Sequence, residues 1–253
     1  MWVIAVTGTL SAAQPTRDVF MHLNDGASRL KRLDILTALA DEVLAQIARE
    51  CLWREYSPGE TILDHQDTST DVLFLLSGRA RIIIYSADGK AVLYADLTAA
   101  TLIGEIAAID RKPRSAGVEA LDTCTIAFLS ADRFEKLMLI EPTVAVSTLR
   151  HVTSEFRRLS ERVFEFSTMM VQNRIQAELI RLAGGTGAAH GEITLSPAPS
   201  LADIANRVST HREAVSRELS RLTSLGLLRR EHGNLTIADV RKLVRLVDEA
   251  KGE

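Results

Sequence analysis

The chain has 253 residues, enough for two compact domains with separate cores. With 46% apolar and 25% charged residues it reads as an ordinary globular chain rather than a disordered or membrane-embedded one. The net charge of −3 hides an asymmetry, because residues from Arg174 onward carry 12 Lys/Arg against 10 Asp/Glu and those before it 18 against 23. A mildly basic tail on an acidic body admits nucleic-acid contact, but charge alone does not establish it.

The first twenty residues, MWVIAVTGTLSAAQPTRDVF, have no basic region ahead of a short apolar start, which fits neither a secretory signal nor a membrane span. Residues 1–30 are expected to be a mobile extension, and no membrane partner is expected. Leu33, Leu36, Leu39, Val43, Leu44 and Ile47 recur at three- and four-residue steps and predict a helix. Cys51 and Cys124, the only cysteines, lack metal-type spacing and read as buried, reduced thiols of a cytoplasmic protein. A self-contained iron–sulfur cluster needs about four thiolates and is excluded. Axial haem ligation by His65 or Cys51 finds no support in their spacing.

From Trp53 the texture changes to short strands between turn signals at Pro58-Gly59, Ser77-Gly78 and Asp88-Gly89. Asp88-Gly89 between Ile82–Tyr85 and Val92–Tyr94 predicts a hairpin, and residues 53–130 predict an all-β roll ending near Val118–Leu129. Its one interruption is a short helix after Gly104, in Leu102–Ala116, LIGEIAAIDRKPRSA. There a Gly-Glu pair stands nine residues ahead of an Arg-Ser pair. Gly104 permits a tight turn whose following amides face an anion. Arg114 adds a positive fork and Ser115 a hydroxyl. Glu105 beside a phosphate makes sense only if it accepts from a sugar diol. The competing reading is a Glu105–Arg114 surface ion pair.

Beyond Ala131 a long helix is predicted, broken near Pro142 and running to about Val171. Leu149, Val152, Phe156, Leu159, Val163, Phe166 and Met170 keep a strict 3-4-3-4-3-4 spacing, the seam of a coiled coil, and predict a homodimer interface. A helix packed only on its own domain would bury a wider stripe. The change of pattern at Val171–Asn173 predicts a hinge, followed by a second amphipathic helix from Arg174, a GGTGAAHG loop at Gly184–Gly191 and a strand at Glu192–Leu195. Ser200 with Asp203, and Thr210 with Glu213, read as two capped helix starts, the second helix ending before Gly226. Two short helices joined by a tight turn make a helix-turn-helix. Thr210, Arg212, Glu213, Ser216 and Arg217 lie at the end of the second helix that meets base edges in the major groove of double-stranded DNA. LLRRE, a His232-Gly233-Asn234 turn and LTI predict a β-hairpin wing, with Arg229 and Arg230 placed for phosphates. The fold class is α+β: a ligand-binding β-roll (31–141), a dimerisation helix and hinge (142–172) and a winged helix-turn-helix (173–253).

The Leu102–Ala116 segment resembles the phosphate-binding cassette of cyclic-nucleotide-binding domains. With the long helix and THREAVSREL, the chain from about Leu33 to Ile237 resembles the cyclic AMP receptor protein branch of the CRP/FNR transcription-factor superfamily. The resemblance implies that Gly104 and Glu105, with Ile106 beside them, serve the ribose side and Arg114 and Ser115 the cyclic phosphate. It likewise gives Arg212, Glu213 and Arg217 to the bases of a palindrome with TGTG- or TGTT-like half-sites. RNA polymerase is a further partner that it admits. In the ungapped register Leu159 and Ser160 stand where the family has a Thr-Ser pair at the adenine. Glu155 stands where the family has an arginine supporting the ribose carboxylate, a place Arg157 or Arg158 could fill instead. The effector is therefore cyclic AMP, cyclic GMP or both, with no metal. The alternative is a DNA-binding dimer whose cassette is vestigial or takes another effector. A hydrolase is disfavoured, because no metal cluster, nucleophile–base pair or phosphate-loop glycine run is present.

Overall fold

The structure is a computed structural model and describes residues 23–85, 91–184 and 191–252. The chain falls into two compact units. The first comprises Met1–Ala80, Leu97–Ser115 and Glu119–Leu137, the second Arg81–Asp96, Ala116–Val118 and Met138–Glu253. Helices α1 (Leu23–Leu30) and α2 (Asp41–Glu50) lead into strands β1 (Leu52–Tyr56), β2 (Thr61–Leu63), β3 (Val72–Ser77), β4 (Arg79–Tyr85), β5 (Ala91–Thr98) and β6 (Thr101–Ile103). Helix α3 (Glu105–Asp110) precedes β7 (Gly117–Ala120), β8 (Cys124–Leu129), α4 (Ala131–Ile140), α5 (Pro142–Thr168) and α6 (Val171–Leu182). The chain continues through β9 (Ile193–Leu195), α7 (Leu201–Arg207), α8 (Arg212–Ser224), β10 (Leu228–Glu231), β11 (Asn234–Ile237) and α9 (Val240–Lys251).

One four-stranded sheet has the order β1–β8–β3–β6 and another β2–β7–β4–β5. In the first, β3 is central and buries Val72 through Leu76 without alternation, as a strand covered on both faces must. Its antiparallel partners set Leu73 opposite both Phe128 and Ile103. Phe74 and, from α4, Phe134 are fully buried in the same unit. Cys51 and Cys124 are buried free thiols, and burial pushes Cys51 up to about 12, well out of the reactive range. The Asp88-Gly89 hairpin turn, most of the Gly184–Gly191 loop and residues 1–22 of the expected extension lie outside the described residues.

Several predicted elements are corrected. Leu33, Leu36 and Leu39 are not helical but mark successive turns, in which each donates to the carbonyl three residues back. A three-residue hydrogen-bonded repeat buries every third side chain, which in sequence mimics part of a helical period. Residues 23–30, expected to be part of an extension, form α1 and bury Leu30. The break before α6 comes at Met169–Met170 rather than Val171–Asn173. Met170, in extended conformation, already caps α6, and Asn173 and Arg174 donate to its carbonyl.

In the second unit Ile175 and Leu179 of α6, Val215, Leu219 and Leu222 of α8, Leu235 and Ile237 of β11, and Leu243 and Val247 of α9 share one core. Sheet β10–β11–β9 forms the wing, with Leu228 opposite Ile237 and Leu235 opposite Leu195. His232 and Gly233 both take positive φ, as a two-residue hairpin turn requires. Helix α9 is an element beyond those predicted. Its signal is Val240, Leu243, Val244 and Val247 behind Asp239, whose side chain accepts from Lys242 N.

Ser200 caps α7 as predicted, its Oγ accepting from Asp203 N at 3.0 Å. Thr210 does not cap α8: the helix starts one residue later, on His211, which makes no side-chain cap bond. Thr210 N instead donates to Ala205 O at 2.9 Å, closing the inter-helix turn with its backbone. Ser200→Ala should therefore lower unfolding stability by about 1 kcal/mol in a urea titration, and Thr210→Ala by less than about 0.5 kcal/mol.

Candidate functional site

The cassette begins where β6 ends. Gly104 adopts φ +81°, turning the chain directly into the first turn of α3. A Cβ here would lie 2.4 Å from Arg114 Nη1 and 3.0 Å from the Asp71 carbonyl, so both the conformation and the space demand glycine. Arg114 is 2% exposed. Its Nε donates to Ser69 Oγ at 3.1 Å, Nη1 to the Gly104 carbonyl at 3.2 Å and Nη2 to the Asp71 carbonyl at 2.8 Å. Its own amide donates to Asp67 O and its carbonyl accepts from Gln66 N, so main chain and side chain are both pinned to segment 66–71.

Burial lowers the Arg114 pKa from its usual value, opposed by the carboxylates of Asp71, Asp67 and Glu105. Because the guanidinium starts so high, it stays cationic. A guanidinium has five N–H donors; three are committed to Ser69, Gly104 and Asp71, which leaves two for an anion. Glu105 is buried in the first turn of α3, whereas Ile106 and Ser115 are exposed. Arg111, in left-handed conformation, ends α3 and pairs with Asp132 at 2.9 Å and Glu135 at 2.7 Å. The competing reading, a surface ion pair between Glu105 and Arg114, is thus not what organises the segment, since both groups are buried and Arg114 is held by neutral acceptors. Ser69 and Asp71 were missed by sequence reasoning. They act through a hydroxyl and a carbonyl far away in the chain, and no local pattern marks them.

On α5, Ser160 Oγ donates to Phe156 O at 3.0 Å along its own helix, and Leu159 is exposed beside it. Glu155 pairs with Arg158, whose guanidinium sits 4.8 Å above the Tyr94 ring. Arg158, rather than Arg157, is thus the arginine joined to Glu155. Along the predicted seam Leu149, Phe156, Leu159, Val163, Phe166 and Met170 are 37–73% exposed, while Val152 is half-buried. The flank of the helix beside this stripe buries Arg162, whose guanidinium lies 5.6 Å from the centre of the Phe166 ring, and Glu165. An apolar stripe left in water beside buried charged residues is the reverse of a helix packed only on its own domain.

Arg212, Glu213, Ser216 and Arg217 share the exposed face of α8, and Val215, Leu219 and Leu222 anchor the other. Arg212 starts the helix, so these side chains cluster at its N-terminal end. Thr210 lies in the preceding turn. On the wing, Arg229 is paired with Glu192, both half-exposed, and Arg230 beside it has no carboxylate partner among the described residues. Strand geometry puts Arg229 and Arg230 on opposite faces of β10, which is why only one of them meets Glu192. No described helix is long and apolar enough to cross a membrane.

Comparison with known proteins places this geometry. Residues 53–141 match the cyclic nucleotide-binding domain family and residues 173–246 the Crp-like helix-turn-helix domain. A CRP-like cAMP-activated global transcriptional regulator from Mycobacterium tuberculosis is 20% identical over 217 residues, covering 85% of this chain and 97% of that protein. The cAMP-activated global transcriptional regulator CRP of Salmonella typhimurium is 25% identical over 190 residues, covering 74% and 90%. Among solved structures, FixK2 from Bradyrhizobium japonicum has a TM-score of 0.65 at 18% identity, covering 78% of this chain and 96% of that one. A CRP/FNR family transcriptional regulator from Thermus thermophilus scores 0.63 at 21% identity, covering 78% and 98%. The chain belongs to the CRP/FNR family, whose members are transcription regulators and not enzymes. Its cyclic nucleotide-binding and helix-turn-helix domains make it a ligand-responsive, DNA-binding transcription regulator.

Gly104→Ala must either displace Arg114 or abandon the left-handed turn. It should cost roughly 1–2 kcal/mol for the backbone alone, more once Arg114 loses its carbonyl acceptor. Unfolding of the variant beside the parent in guanidinium chloride checks this, and an unchanged midpoint would contradict it.

Proposed function

We propose that this protein is a homodimeric, cyclic-nucleotide-responsive regulator that reads a palindromic site on double-stranded DNA. The observation that carries the effector is Arg114: a buried guanidinium, fixed by three protein acceptors at the Gly104 turn, with donors left over for a phosphate. Gly104 and Glu105, with Ile106, take the ribose side, and Ser115 joins Arg114 at the cyclic phosphate. The relatives named as cAMP-activated favour cyclic AMP as effector. Cyclic GMP stays open, because Leu159 and Ser160 offer only one hydroxyl where the family has two. No metal is required.

The exposed stripe from Leu149 to Met170 forms the dimer seam. Each such side chain contributes about 1.5–3 kcal/mol when buried, before ordering costs, so a stable dimer is within reach. The effector acts by binding the DNA-competent arrangement better, with Met169–Met170 as the hinge. The functional limits are 31–141 for nucleotide binding, 142–172 for dimerisation and 173–253 for DNA. Arg212, Glu213, Ser216 and Arg217 read bases, with TGTG- or TGTT-like half-sites by family likeness, while of the two wing arginines placed for phosphates Arg230 is the one without a carboxylate partner among the described residues. The regulator works in the cytoplasm, with RNA polymerase as a further partner. A second reading keeps the DNA-binding dimer but gives the cassette another effector. The Glu155–Arg158 pair favours it, because it occupies the arginine that would otherwise support Glu105.

Calorimetric titration of nucleotide-stripped protein with cyclic AMP and, separately, cyclic GMP should show one saturable site per protomer and rank the bases. Silence with both leaves the second reading. Arg114→Ala should abolish that heat while the dimer persists in analytical ultracentrifugation; retained micromolar affinity would refute the site. Arg212→Ala should cost ~1–3 kcal/mol on the operator and little on random DNA. Equal losses on both duplexes would make Arg212 a phosphate contact.

A further inference from the structure

Eight charged side chains of the second unit form one connected, charge-balanced network. Four are arginines, Arg81, Arg162, Arg181 and Arg207, and four are carboxylates, Asp96, Glu165, Glu178 and Asp203. At its centre Glu178 of α6 is 1% exposed. It accepts from Arg162 of α5 at 2.5 Å and from Arg181, and Arg207 Nη1 of α7 stands 3.5 Å away. Arg181 also reaches back to Glu165 of α5 at 2.7 and 2.9 Å. Arg162 makes a second bond, at 2.6 Å, to the main-chain carbonyl of Arg207.

From this buried centre the network runs outward. Arg207 Nη2 lies 2.6 Å from Asp96 Oδ2 on β5, as an ion-pair contact rather than an aligned hydrogen bond. Asp96 accepts from Arg81 Nε of β4 at 2.7 Å, and Arg81 Nη1 returns to Asp203 of α7 at 3.0 Å. Strands β4 and β5 fall in the segment matched by the nucleotide-binding family, and α7 in that matched by the helix-turn-helix family. The network therefore joins residues of both functional segments.

Buried ion pairs add little net stability over apolar packing, and their best-attested use is to fix geometry. The geometry fixed here is that of α7. Helix α7 carries α8 through a tight turn closed by Thr210 N on Ala205 O, with Ser209 at φ +51°. Orienting α7 thus orients the recognition helix. The network leaves Arg212, Glu213, Ser216 and Arg217 exposed, so it does not cover the reading face.

We propose that Arg81, Asp96, Asp203 and Arg207 are positioning residues that hold the recognition helix in the orientation needed to read two half-sites at once. The inference rests on the reading of the protein as a DNA-binding dimer. A dimer must set its recognition helices one helical turn of DNA apart, about 34–36 Å, and an unheld winged helix loses that spacing. Contact with a single half-site needs no such constraint.

The test uses the full-length protein with saturating cyclic AMP and two duplexes: a palindrome selected by the wild type from a random pool, and the same duplex with one arm scrambled. Asp96→Asn keeps the size, removes the charge and replaces one of the two acceptor oxygens by a donor. It should weaken palindrome binding about tenfold, within the usual range of coupling between sites, and leave the half-site duplex unchanged. Arg81→Gln should do the same, and the two together should cost no more than either alone. Should Asp96→Asn fold poorly by circular dichroism, Asp203→Asn carries the same expectation from the outer edge of the network. Equal losses on both duplexes would reduce the network to a structural role, and unchanged binding to both would remove its function. Tighter palindrome binding without nucleotide would make it a brake and overturn the proposal. A wild type that selects no palindrome overturns the reading as a cyclic-AMP-responsive DNA-binding dimer, a separate result from a variant that matches a functioning wild type.

Discussion

A buried guanidinium must find fixed acceptors inside the protein, and much of this structure is arranged around that requirement. An arginine cannot shed its charge to escape burial, so every donor left without a partner is costly. Arg114 meets the constraint with two main-chain carbonyls and a hydroxyl, all neutral. Arg162 meets it with the Glu178 carboxylate and the Arg207 carbonyl, and Arg207 stands against Glu178 and Asp96 as ion-pair contacts. In each case the acceptors come from separate elements, so satisfying one side chain fixes several pieces of backbone relative to one another.

The two solutions differ in what they leave available. Neutral acceptors around Arg114 hold the side chain without a direct ion pair. Charge-matched partners around Arg162, Arg181 and Arg207 cancel theirs, which suits a joint rather than a binding site. A carboxylate in place of the Asp71 carbonyl would make the cassette a self-contained salt bridge. Glu105, at the start of α3, acts on Arg114 through space, in the same sense as Asp71 and Asp67 but more weakly than either.

Helix α5 is where these requirements meet the assembly. Its sequence places Phe156, Val163 and Phe166 on one stripe and Arg162 and Glu165 on another, and the structure leaves the apolar stripe in solvent while burying the charged one. The charged residues are consumed within the protomer, joined to α6 and α7. The apolar residues stay exposed. One helix thus carries the charged joint and the exposed apolar stripe side by side, and Arg162 touches both, its guanidinium 5.6 Å from the centre of the Phe166 ring.

The amino-acid sequence by itself determined the strand-rich segment, the Gly104–Arg114 spacing, the 3-4 repeat of the seam and the two helices around Ser200 and Arg212. Each is a local pattern set by period, turn chemistry or capping, and such patterns survive without knowledge of what they pack against. It also held α9 in plain view at Val240, Leu243, Val244 and Val247. Local pattern misled where two causes produce one spacing: Leu33, Leu36 and Leu39 repeat by three because of consecutive turns, and Thr210 resembles a cap one residue early. Tertiary structure alone decided that Ser69 and Asp71 hold Arg114, that Glu192 meets Arg229 rather than Arg230, and that Asp96 meets Arg207. Those contacts join residues tens of positions apart, and their partners are hydroxyls, carbonyls and carboxylates found all along the chain. Only folding selects which of them lies within reach of each arginine.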